Sequence, residues 1–164
     1  MSRQVIPVSQ EQVPEHLRTN RSVFTRWFGR TFYRAIGWNL EGNIADAERV
    51  MIVAAPHTSN WDFVFGISVI LGINARVRWL GKHTVFKFGV TWFFRWLGGI
   101  PVNRAQPDSV MGYVDEAVAK DNGLILVVAP EGTRKKTEKW KSGFLRIAKK
   151  NNCVIQLGAL DFPN

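Results

Sequence analysis

The run Val50-Met51-Ile52-Val53-Ala54-Ala55 leads into Pro56-His57-Thr58-Ser59-Asn60-Trp61-Asp62, where a histidine precedes a carboxylate by five positions. Inside one helix those two side chains would point about 140° apart and could not meet. With His57 in a loop and Asp62 in the first turn of a helix capped by Ser59 or Asn60, the acid leans back toward the N-terminus and can reach the imidazole. A carboxylate on one ring nitrogen fixes the tautomer and leaves the other nitrogen as a base. Taken alone the pair is a weak signal, because this spacing arises often by chance.

Two further loops carry cations beyond β-rich runs. Gly98-Gly99-Ile100-Pro101-Val102-Asn103-Arg104 delivers an arginine whose fork of N–H donors suits a phosphate. Pro130-Glu131-Gly132-Thr133-Arg134 does so again after the apolar run Leu124 to Ala129, with a glycine that lets backbone amides approach a ligand. A histidine and two arginines, each at the end of a different β-run, describe a convergent site. No serine or cysteine forms a nucleophilic triad with His57, so direct transfer is expected rather than a covalent enzyme intermediate. Cys153, the one cysteine, sits in an apolar run, which rules out an intrachain disulfide and a thiolate metal cluster. A metal site on His57, Asp62 and His83 is disfavoured because Lys82-His83-Thr84 has no carboxylate nearby in sequence.

The elements that must position these residues alternate between short β-rich and helical patterns. Expected strands are Arg49 to Ala55, Arg76 to Leu80, Gly99 to Val102, Leu124 to Ala129 and Cys153 to Gly158. Expected helices are Trp61 to Gly72, Val85 to Leu97, Pro107 to Asp121 and Ser142 to Lys150, with Pro107 suited to a first turn. This is the pattern of an α/β fold: a single domain with a mixed, largely parallel sheet flanked by helices. In such sheets chemistry gathers beyond the carboxyl ends of the strands, where all three loops would lie.

A polar leader and an N-terminal amphipathic helix, residues 1–37, precede the domain at 38–164. In the helix, Arg21 to Ile36, Phe24, Phe28 and Phe32 recur every four residues, as do Arg26, Arg30 and Arg34. The two stripes lie roughly 200° apart, so the rings either enter a lipid interface or pack onto the domain.

The chain has 164 residues, 22 Lys and Arg against 13 Asp and Glu, and a net charge of +9, which asks for an anionic partner. Between Asp62 and Asp108 no acid occurs, while Arg76, Arg78, Lys82, Lys87, Arg95 and Arg104 interleave with many aromatic residues. Trp92, Phe93 and Trp96, flanked by Lys87 and Arg95, form a second expected membrane contact. The longest uncharged stretch, Phe63 to Ala75, is shorter than the roughly 20 apolar residues a spanning helix needs. A nucleic-acid binder would also be basic and aromatic, but no motif of that class appears. A non-catalytic lipid-binding module at a membrane surface is the alternative to an enzyme.

His57-Thr58-Ser59-Asn60-Trp61-Asp62 resembles the histidine, four residues, aspartate (HX4D) motif of the glycerolipid acyltransferases, the family of lysophosphatidic acid acyltransferase. Gly99 to Arg104 is similar to that family's second block, and Pro130 to Arg134 to its third. Trp38-Asn39-Leu40-Glu41-Gly42 and the aromatic run to Gly99 resemble the short bacterial members. The resemblance implies a 1-acylglycerol-3-phosphate O-acyltransferase type of reaction: His57 is the general base, Asp62 orients it, and Arg104 and Arg134 hold the acceptor phosphate. Asn103, Glu131, Gly132 and Thr133 complete the substrate site. No bound cofactor is implied; acyl-ACP (acyl carrier protein) or acyl-CoA (coenzyme A) is the co-substrate, a lysolipid the acceptor, and the cytoplasmic face of the inner membrane the expected place. The family's fourth block is an apolar strand with a proline, where this chain has Gln156, a departure at the edge of the acyl pocket. The chain stops at Asn164, soon after the last expected strand, where a C-terminal cap would follow.

Overall fold

Residues 8–38, 40–56, 59, 61–103, 107–133, 137 and 139–159 are described in the computed structural model, 107–109 by their backbone alone. His57, Arg104 and Arg134 lie outside them.

Five strands, β1 (Arg49–Ala55), β2 (Val77–Lys82), β3 (Gly99–Val102), β4 (Leu124–Val128) and β5 (Val154–Ala159), form one sheet in the order β3-β2-β4-β1-β5. Every pairing among the described strands is parallel, which meets the expectation of a largely parallel sheet without its mixed element. The one antiparallel contact described outside these strands is the bridge Arg18 to Ala75. The helices are α1 (Val23–Ala35), α2 (Trp61–Gly72), α3 (Thr91–Trp96), α4 (Pro107–Lys120) and α5 (Gly143–Lys150).

The continuous apolar runs of β1 and β4 follow from burial on both faces. Val50 and Ile125 face one layer with Tyr33 of α1 and with Ile73, Ala75 and Val77 around β2. Met51, Val53, Leu124 and Leu126 face the other, against Val114 of α4 and Ile147 and Ala148 of α5. Each such side chain, removed from water, stabilises the fold by about 1.5–3 kcal/mol.

Two sequence expectations change. The leader is not merely polar: Val8, Val13 and Leu17 are buried in the first core, held by two 3-10 turns, Gln10–Gln12 and Glu15–Leu17. The expected helix Val85 to Leu97 is helical only from Thr91; His83–Val85 is a 3-10 turn and Gly89 has φ +93, a left-handed backbone that interrupts a helix.

Helices α1 and α2 pack backbone to backbone. A Cβ on Gly29 would stand 2.7 Å from both Gly72 N and Ser68 O. Arg30 Nε donates to Gly72 O at 2.9 Å and Arg26 Nη1 to Gln10 Oε1 at 2.7 Å, so these two arginines face inward rather than toward headgroups. The aromatic side of α1 is therefore turned out: Phe24 is 71% exposed, Trp27 56% and Phe28 52%. Phe32 is half-buried, stacked on Phe28. Trp92, Phe93 and Trp96 of α3 are exposed as well, and Phe88 projects fully. Arg21, whose Nη1 donates to Ala75 O, lies 5.9 Å over the Trp96 ring and joins the two aromatic surfaces. Among the described residues no helix is long and apolar enough to cross a membrane.

Candidate active site

Because every strand is parallel, the loops after β1, β3 and β4 leave from one edge of the sheet. After β1, the first turn of α2 is fixed by two reciprocal bonds. Ser59 Oγ accepts the Trp61 amide at 2.8 Å, and Asp62 Oδ2 accepts the Ser59 amide at 2.7 Å. This is the logic of a capping box with an aspartate in the third position. It draws the carboxylate back toward the loop that contains His57 and buries it to 5% exposure.

After β4, Ala129 to Gly132 close a turn in which Gly132 N donates to Ala129 O at 3.1 Å, and Lys141 N donates to Pro130 O at 2.9 Å. The aliphatic chain of Lys141 lies 3.2–3.3 Å from where a Cβ on Gly132 would stand. Gly132 and Thr133 line the same cavity as Asp62, a space of about 1600 Å³. Glu131 occupies the turn beside them, half-buried. Asn103 follows β3, an edge strand two places from β4 and three from β1, about 10 and 14 Å away at ordinary strand spacing.

Sequence reasoning passed over the cations that do line this cavity. Lys82 ends β2, the strand between β3 and β4, and Lys141 and Arg146 approach from the start of α5. Lys82 stands two residues past the expected end of the run Arg76 to Leu80 and was counted only with the basic surface; Lys141 had no local signal, since its contact with Gly132 spans nine positions of sequence. Arg78, counted with the basic surface, is instead committed to structure at the other edge. Its Nε and Nη2 donate to Asp121 Oδ2 at 2.9 and 2.6 Å. Cys153 is equally remote from the site, and burial pushes its thiol up, against a smaller downward pull from Arg49.

Beside α2 the cavity is lined on two sides. Toward β2 and β3 its wall is the aromatic cluster of Phe63, Trp79 and Phe94, with Phe86 packed against them at ring distances of 4.8–6.0 Å. Toward β1 and β5 it is lined by Trp38, Ile44, Ile52 and Phe65.

A model of the acyltransferase family matches residues 39–156. The chain belongs to the acyltransferase family. Among solved structures, it is similar to the crystal structure of the 1-acyl-sn-glycerophosphate (LPA) acyltransferase PlsC from Thermotoga maritima, with 26% identity and a TM-score of 0.55. The match covers 80% of this chain and 54% of that one, so this acyltransferase chain spans about half the length of the relative. No curated protein matches the chain.

Proposed function

We propose that this chain moves a fatty acyl group from an acyl thioester, acyl-ACP or acyl-CoA, to the hydroxyl of a lysophospholipid or glycerol-phosphate-type acceptor at a membrane surface. One observation carries the reading: the buried Asp62 carboxylate opens onto a cavity that is cationic at one end, with Lys82, Lys141 and Arg146, and apolar beneath α2. Such a space suits a molecule with an anionic head and a hydrocarbon tail.

In this reading His57 takes the proton of the acceptor hydroxyl as its oxygen attacks the thioester carbonyl. The carbon–sulfur bond breaks, and the thiolate leaves with a proton returned from the imidazolium. Asp62 holds the ring and stabilises its charged form. Arg104 and Arg134 hold the acceptor phosphate with Lys82, Asn103 beside Arg104 and Glu131 beside Arg134 positioning them. The amides near Gly132 and Thr133 stabilise charge on the carbonyl oxygen or the phosphate.

The exposed rings of α1 and α3 support a membrane as partner, since lone exposed rings are ordinary but a group of them on each of two helices, linked by Arg21 over Trp96, is not. The cytoplasmic face of the inner membrane is where such a donor and acceptor meet. The deciding experiment incubates purified protein with labelled acyl donor and a panel of lysolipids and identifies the product by mass. Lipid binding without any acylated product would leave the non-catalytic lipid-binding alternative in its place.

A further inference from the structure

Where the aromatic surfaces of α1 and α3 come together, the charges do not balance. Arg21, partly buried just before α1, meets no carboxylate among the described residues. Its neighbours are the Ala75 carbonyl, which accepts Nη1 at 2.8 Å, the Trp96 ring at 5.9 Å, and a second cation, Arg78. Burial first, then the charge of Arg78, pulls the Arg21 pKa down from the usual arginine range. Asp121 answers Arg78 alone, one oxygen, Oδ2, taking both Nε and Nη2. Two guanidinium groups with one acid leave a positive charge in excess where water is partly excluded, which costs stability unless an anion completes the set.

The donors that such an anion needs are present. Arg21 spends only Nη1 on the described residues and Arg78 only Nε and Nη2, so the remaining N–H groups of both forks are left to a ligand. The Arg78 side chain is 30% exposed, so a ligand can reach it from outside. The pair is also separate from the catalytic edge. Arg78 lies near the start of β2 and Lys82 at its end, roughly 13 Å apart along the strand. The acceptor phosphate of the proposed reaction, held at the carboxyl edge, does not extend to it. What does surround the pair is exposed apolar surface: Phe24 one turn into α1, and Trp96 beneath the guanidinium.

We propose that Arg21 and Arg78, with the Trp96 ring as a floor, form a second phosphate site that takes the headgroup of an anionic phospholipid of the bilayer rather than a substrate. The cation–π contact holds the Arg21 fork flat, and tryptophan settles at the depth where lipid phosphates lie. This rests on the reading of the α1 and α3 rings as the face that meets lipid, and needs no acyl transfer.

The test compares flotation with phosphatidylcholine vesicles that contain or lack phosphatidylglycerol. Arg21→Gln should cut the gain from phosphatidylglycerol at least about tenfold, the worth of a charge-assisted bond. Arg21→Lys keeps the charge but not the fork, and should lose most of that gain as well. Arg95→Gln removes an exposed charge beside Trp96 and should cost about fivefold or less, the diffuse contribution of one basic residue near an anionic surface. Thermal midpoints show that the variants are folded. The wild type supplies an arm without substitution: monomeric dihexanoylphosphatidylglycerol should protect Arg21 from phenylglyoxal, read by mass, and inorganic phosphate at matched ionic strength should protect it far less. Arg21→Lys floating as the wild type does would reduce the pair to diffuse charge and overturn the site. Equal protection by inorganic phosphate, with flotation indifferent to residue 21, would assign the pair to a free anion and overturn the lipid. Protection by the monomeric lipid without any flotation sinks the membrane face alone, whereas flotation that every variant keeps sinks this site alone.

Discussion

The carboxylate of Asp62 and the amide of Ser59 are joined at 2.7 Å, and this bond ties the candidate site to the start of α2. Asp62→Asn keeps an oxygen that can accept the Ser59 amide but removes the charge. On the proposed function it should lower kcat by about 10²–10⁴-fold, the range typical when acid–base participation is lost. The helix start should weaken by about 1 kcal/mol, or about 2–4 °C in Tm for a domain of this size. A variant that keeps full turnover would show that the carboxylate only caps α2.

The contact of Gly29 with Gly72 predicts a different failure. A side chain on Gly29 meets the backbone of α2, which cannot move aside as a flexible side-chain end could. Gly29→Val should cost about 1–3 kcal/mol or more by overpacking, seen as a fall in Tm. An unchanged Tm would mean that α1 does not need its close seat on α2.

Much of this architecture was legible. β1 and β3 keep their expected bounds and the other strands shift by at most two residues at an end. For β1 and β4 the reason is burial on both faces, which leaves uninterrupted apolar runs. What could not be read depended on contacts distant in sequence. Val8, Val13 and Leu17 lie among polar residues without a helix or strand period, and only the docking of that segment on Ala75 and Val77 makes them core. The facing of α1 was open because two opposed stripes fit either orientation; Arg30 and Gly72 decide it. Lys141 lies against Gly132 across nine positions of sequence, a contact that no local pattern announces.

Leu17 therefore carries the next prediction. It is fully buried in a segment whose composition looks dispensable, so Leu17→Ala should cost about 2–5 kcal/mol. Deleting the leader should unfold the domain rather than only detach it from lipid, and a truncated chain with native circular dichroism and Tm would contradict the place given to that segment.

The thiol of Cys153 offers a check by pH. Burial raises its pKa, so the neutral form persists to higher pH in the folded chain than in the unfolded one. Since the thiolate is the reactive form, alkylation by iodoacetamide at mildly alkaline pH should be slower in the native protein than in denatured protein, and should accelerate as pH rises further. Equal rates in both states would show a thiol that water and reagent reach freely.

The outward rings of α1 supply the prediction that separates membrane contact from packing. Replacing Phe24, Trp27 and Phe28 together by Ser removes apolar surface that is more than half exposed, so the fold should lose little and Tm should hold. If those rings enter lipid, flotation with vesicles containing anionic phospholipid should weaken at least about tenfold, since burying even one such ring is worth about 1.5–3 kcal/mol. Arg30→Ala should behave in the opposite way. Its guanidinium bonds the carbonyl of Gly72 rather than facing outward, so its loss should lower Tm and leave flotation of the folded protein close to that of the wild type. Flotation that survives the triple substitution but fails with Arg30→Ala would reverse the assignment of the two faces, and the surface proposed to meet the membrane would have to be sought elsewhere on the domain.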